Sequence, residues 1–191
     1  MELLRLRRRL ELARRGHKLL KDKLDGLVQR FFSIKNAYLA LHEKLEPDLV
    51  HIFSKSVMSS ALSHPQSFEE EFLKRGEAAV ETSTKNIMGI KIPAYQLSLG
   101  AKPSYAPLLA TVEFGEALSG FTQALPALVD LAAASKALRL IATQIIETRR
   151  RVNALEYILI PELGRNVRLI RMQLSERERS TQVVLLKKKE E

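Results

Sequence analysis

Neither cysteine nor tryptophan occurs in the 191 residues. Without a thiol there is no disulfide framework, no cysteine zinc site and no cysteine nucleophile, and the composition suits a reducing compartment. Aromatic residues make up 6% of the chain, too few for a thick globular core or for a platform on which nucleotide bases stack. Proline is absent before Pro47, and glycine in that stretch appears only at Gly16 and Gly26, so little interrupts a helix there. A clean apolar run of roughly 20 residues, the length of a membrane span, is also missing. The richest stretch, Leu125 to Ile146, is broken by Asp130, Lys136 and Arg139. Arg5, Arg7, Arg8 and Arg9 sit among the N-terminal leucines, which excludes a signal peptide. A soluble or peripheral protein is expected.

What is present is a heptad seam. Leu3, Leu6, Leu10, Ala13, Leu20, Leu24, Leu27, Phe31, Ile34, Tyr38, Leu41 and Leu45 recur at alternating steps, with His17 as the single polar occupant. A narrow stripe cannot bury itself, so it needs a partner helix. The first helix is predicted to span residues 2 to about 62, with Pro47 as its weak point and Leu49, Ile52, Phe53 and Val57 continuing the stripe. Ser67 and Glu70 form a capping box for a short helix, Phe68 to Arg75. From Ile87 to Tyr105, the β-prone runs Ile90-Lys91-Ile92 and Tyr95 to Leu99 lie among Gly89, Pro93, Gly100 and Pro103, which predicts a small β-hairpin or an ordered loop. Helical signal returns near Ala106, and a second seam runs through Leu131, Ala134, Leu138, Ile141, Ile145, Thr148, Val152, Leu155 and Leu159. At Pro161 it slips by one residue to Ile160, Leu163, Val167, Ile170, Leu174, Thr181 and Val184. Such a slip predicts a local change of winding.

The expected fold is therefore all-α: a long antiparallel left-handed coiled coil of N- and C-terminal helices, with a short helix and a small β-hairpin between them. Residues 1–62, 63–125 and 126–191 are the expected N-terminal helix, middle segment and C-terminal helix. Setting Leu3 opposite Val184 brings Gly26 near Gly164, and that register is the one expected.

Catalytic templates fail. His42-Glu43 opens like a metalloprotease helix, but Glu46 stands where the second histidine is needed. Gly16-His17-Lys18 lacks the upstream glycine of a phosphate loop, and Glu69, Glu70 and Glu71 read as a solvated face. No catalytic site, metal or cofactor is expected. The net charge of +9 calls for an acidic partner. Arg5 to Lys23 and Arg165 to Lys189 concentrate it, and the candidate contact residues are Arg8, Arg15, Lys18, Arg168, Arg171 and Arg179. A solubilising surface is the plain alternative. A structural or nucleic-acid-binding basic coiled coil is another, ranked lower because the basic ends carry no stacking aromatics beyond Phe31 and Phe32 and no recognition motif.

Arg149-Arg150-Arg151-Val152-Asn153-Ala154-Leu155-Glu156, followed by Ile160-Pro161-Glu162-Leu163, resembles the signature of the D subunits of V-type and archaeal A-type rotary ATPases. Leu10 to Lys21, Gly89 to Pro93 and Ser175 to Arg179 resemble further segments of that family, in the same order. The resemblance implies a central rotor shaft, non-catalytic itself. It would stand within a ring of catalytic and non-catalytic subunits (A and B type), beside a small F-type stalk subunit, and above a funnel-like subunit on the membrane rotor ring. It also implies a peripheral complex on the cytoplasmic side of the membrane, moving protons or sodium ions, with no nucleic acid involved. Within the signature, Arg150, Arg151, Val152, Asn153, Ala154, Leu155, Glu156 and Pro161 are the residues that carry it.

Overall fold

The structure is a computed structural model, and it describes residues 1–62, 78–100 and 111–190. The short helix expected at Phe68 to Arg75 lies outside the described residues. Helix α1 spans Glu2–Leu62, strands β1 and β2 span Ala78–Ile87 and Ile90–Leu99, and helix α2 spans Val112–Ala154. A five-residue π-turn, Leu155–Leu159, leads into helix α3, Ile160–Glu190. The chain separates into two compact units, one of residues Met1–Val28 with Gln144–Glu191 and one of residues Gln29–Thr143.

In the first unit the heptad seam forms as expected. Leu3, Leu6, Leu10, His17, Leu20 and Leu24 are half-buried, while Ala13 and Leu27 are buried. The antiparallel partner contributes Thr148, Val152, Leu163 and Val167 as buried positions. The register differs from the expected one. His17 Nε2 lies 3.3 Å from Glu156 Oε2, which ties the two helices at that level. Counting outward equally from this pair brings Met1 level with about Met172, Gly26 with Glu147 and Gly164 with Arg9. Every residue from Arg171 to Lys189 is exposed, so Leu174, Thr181 and Val184 are not seam positions within this chain. The matched glycines misled: a Cβ built at Gly164 would meet nothing within 4 Å, so no close approach of the helices requires glycine there.

The slip to Ile160, Leu163, Val167 and Ile170 is present as expected, and a single wide turn absorbs it. Ile160 N–H donates to the Leu155 carbonyl, five residues back, and closes the π-turn just before Pro161. Proline has no N–H to return to the Tyr157 carbonyl, and its ring crowds that oxygen in a regular α-helix, so a wide turn there relieves both problems. Leu159 consequently faces out, 41% exposed, while Ile160 takes the half-buried seam place.

In the second unit α1 passes through Pro47 without ending. The seam steps by four from Leu41 to Leu45 and by four again to Leu49, so it rotates by one residue at the proline and continues through Ile52 and Ser59. Phe53 and Val57 are exposed, contrary to expectation, because the rotated stripe takes Ser56 and Ser59 instead. Ser59, with no solvent exposure, shares a 2.8 Å hydrogen bond with Thr111, which satisfies both hydroxyls inside the pair. Phe114, Ala117, Ala137 and Ile141 are the buried residues of α2 in this unit.

The hairpin begins earlier than the sequence suggested. Ile90 to Leu99 forms one continuous strand, and its partner is Ala78–Ile87, antiparallel, with Ile87 opposite Ile90. Met88 and Gly89 make the two-residue turn with φ of 52° and 87°, the primed geometry that suits the twist of a hairpin. Asn86 Oδ1 accepts from Gly89 N–H at 2.9 Å and closes it. Counting from the hydrogen-bonded Ile87–Ile90 pair, Pro93 opposite Thr84 falls at a non-bonded position, so its missing N–H costs the ladder nothing.

Candidate functional site

The residues of the signature serve different ends of one geometry. Val152 is buried and Leu155 half-buried, so they belong to the seam. Arg150, Asn153 and Ala154 are exposed on the outside of the helix, and Arg151 reaches Glu147 at 4.0 Å. Glu156 turns to His17, and Pro161 follows the wide turn. Around that turn Tyr157 and Ile158 are 71% and 64% exposed, an unusual place for two large apolar side chains.

The basic candidates all reach solvent. Arg8, Lys18, Arg168, Arg171 and Arg179 are exposed, as is Arg15, which pairs with Glu11 on the same helix face at 2.5 Å. Arg168 Nε donates to the Gly164 carbonyl at 3.4 Å, a weak local tie that leaves the guanidinium outward. Counted from the His17–Glu156 pair, Arg8 lies about level with Arg165 of α3 and Arg15 with Ile158 of the π-turn, in the first unit. Arg179 belongs to the part of α3 beyond the level of Met1. The basic surface is thus two features: flanks of a helix pair and an arm with no intrachain partner among the described residues.

Two polar ties escaped sequence reasoning. His17–Glu156 could not be found in a register that set Leu3 against Val184. Lys55–Glu116, an ion pair between α1 and α2 in the second unit, lies 61 positions apart in sequence, and only the packing of the two helices reveals it. The hydrogen bond from Lys55, then its charge, hold the Glu116 carboxyl below the ordinary glutamate range against an opposing effect of burial, with a lesser pull from His51. A depressed folded value means stabilisation is present above the unfolded value and is lost as pH falls through the folded one. Carboxyl NMR should therefore place the Glu116 midpoint below that of exposed glutamates, and Lys55→Met should return it to the ordinary range. An unchanged midpoint would show that Lys55 is not the cause.

Beside this pair lies a groove lined by Leu45, Asp48, His51 and Ile52 of α1 and by Gly120, Gln123, Ala124 and Ala127 of α2. Small residues on α2 open it. Among the described residues no group of three or more His, Cys, Asp or Glu side chains is placed to hold a metal ion, and no helix is long and apolar enough to cross a membrane.

Comparison with known proteins gives one consistent result. The family model for the D subunit of ATP synthase matches residues 2–190. The D subunit of a V-type ATP synthase from Clostridium botulinum is 39% identical over 194 aligned positions, covering 98% of this chain and 90% of the relative. Relatives of the same description from Acetivibrio thermocellus and Thermoanaerobacter are 35% and 36% identical, each covering all of this chain and 88% and 93% of their own length.

Proposed function

The chain belongs to the D-subunit family of ATP synthases, and on that footing we propose that it is the central rotor shaft of its complex, with no catalytic site of its own. It is a stalk subunit of a V/A-type ATPase, part of a rotary machine that couples ATP turnover to ion movement. The observation that best supports the shaft reading is the first unit. There two antiparallel helices are tied across the seam by His17 and Glu156, and α3 runs on past the end of α1 with its arginines and lysines uncovered. Paired helices resist twisting, and an off-centre arm presents a different face to each of several similar sites around it.

In this reading the helix ends stand within the ring of A- and B-type subunits. The middle segment points toward the funnel-like subunit and the membrane rotor ring, and a small F-type subunit binds alongside. The complex sits on the cytoplasmic face of the membrane. Arg8, Arg15, Lys18, Arg168, Arg171 and Arg179 meet acidic groups of the ring. A basic surface of this kind sets orientation and rate of engagement more than affinity.

Neutralising Arg8, Arg15, Arg168 and Arg171 together to glutamine tests the assignment. Ring assembly or ATP-driven ion transport should fall at least about tenfold and become less sensitive to salt. Thermal unfolding of the isolated chain should barely change, since all four side chains are exposed. Unchanged assembly and coupling would remove these arginines from the working surface.

A further inference from the structure

The seam after Leu155 can be continued in two ways. In the structure it steps by five residues to Ile160, where a heptad takes three or four, and the surplus residue is absorbed in the π-turn Leu155–Leu159. The alternative is an uninterrupted α-helix in which Leu159 enters the seam. Leu155, Leu159, Leu163 and Val167 then follow one another at steps of four, which locally matches a straight helix better than a left-handed supercoil. Val152 keeps its place in both, whereas Leu163 and Val167 lie about 100° further round the axis in the continuous helix, the rotation of one residue, so the supercoil of α3 must unwind for them to go on facing α1. At the turn itself the two states exchange Ile160 for Leu159, side chains of equal size.

Two features of this chain favour the wide turn. Pro161 cannot return a hydrogen bond to Tyr157 and its ring crowds that carbonyl in a regular helix. Glu156, the second residue of the π-turn, accepts from His17, which occupies a seam position of α1 where every other residue from Leu3 to Leu45 is apolar. The side chains of His17 and Glu156 are 20% and 48% exposed, so the bond is shielded on the histidine side. Removing His17 leaves Glu156, 48% exposed, free to turn to water.

We propose that residues 155–160 form a two-state winding switch, with His17 and Glu156 as the latch and Pro161 as the pin that hold it in the π-turn state. Released, the segment becomes continuous α-helix, Leu159 turns inward, Ile160 turns outward and the local supercoil straightens. The inference stands on the first unit alone and is independent of the shaft reading.

Because the full chain has no cysteine, single substitutions L159C and I160C report which position faces the seam through their rates of thiol alkylation. With His17 and Pro161 in place, the thiol of L159C should react faster than that of I160C. In H17A/P161A the ratio of the two rates should fall by about tenfold or more, the scale expected on losing a hydrogen bond and a proline pin. H17A alone should move the ratio part of the way, and H17Q, whose amide can still donate to Glu156, should restore it. Amide exchange at Ile160 gives a second reading, since its acceptor changes from Leu155 to Glu156. A latch that merely stabilises the helix pair speeds both alkylation rates equally, and that outcome overturns the switch. An unchanged ratio in H17A/P161A, or in H17A and P161A separately if the double variant does not fold, overturns it as well.

Discussion

Leu27→Ala is expected to destabilise the first unit by about 2–5 kcal/mol, the cost of lost burial plus the cavity left behind. Leu27 has no solvent exposure, whereas most seam residues around it are only half-buried. A two-helix seam has few positions shielded on all sides, so one that is fully shielded carries a large share of the stabilisation. The same change at Leu12, 72% exposed on the outer face, should stay within about 0.5 kcal/mol. Urea unfolding followed by amide exchange separates the outcomes: L27A should lower protection in residues 13–28 and 144–163 and leave the β1–β2 hairpin unaffected. Equal effects at Leu12 and Leu27 would mean that the seam is not what holds this unit together.

The seam shows why some features were legible in the sequence and others were not. Heptad spacing is a local property of the chain, so Leu3 to Leu45 could be assigned to one face before any partner was known, and His17 stood out as its polar member. Register is a property of two segments at once. Apolar stripes slide past one another with little preference until a specific pair intervenes, and here that pair is His17 and Glu156. The slip near Pro161 was visible as a phase change, but whether a helix absorbs it by unwinding or by one wide turn depends on backbone hydrogen bonds, which patterning does not encode. The hairpin was misplaced for a related reason. β1 is almost wholly exposed and reads Ala-Ala-Val-Glu-Thr-Ser-Thr-Lys-Asn-Ile, with little apolar alternation to mark it. Asn86 and the Met88-Gly89 turn were its better signals. The exposed arginines were visible as charge in the sequence, but charge by itself does not say what they meet.

Gly120 carries the other large prediction. In sequence it reads as a soft spot of α2, since glycine inside a helix costs about 1 kcal/mol relative to alanine. In the structure a Cβ at this position would come 2.9 Å from Ile52 Cγ1 and 3.4 Å from its Cδ1, so α1 and α2 approach too closely for any side chain to fit without movement. Gly120→Ala therefore sets a gain in helix propensity against an overlap that Ile52 can relieve only by leaving its buried place, and the net change should be small and unfavourable. Gly120→Leu has no such relief and should destabilise the second unit by about 2–3 kcal/mol. Ile52→Ala alone should also be costly, by about 2–5 kcal/mol, because Ile52 is 9% exposed. Made together, the two should cost less than their sum by at least about 1 kcal/mol, since the added leucine side chain occupies the space the isoleucine vacates. Chemical denaturation of the four members of this cycle measures that coupling. Additive costs would place the two residues out of contact and remove the reason for glycine at position 120, whereas a favourable coupling identifies the Gly120–Ile52 contact as what sets the spacing of α1 and α2 beside the Lys55–Glu116 pair.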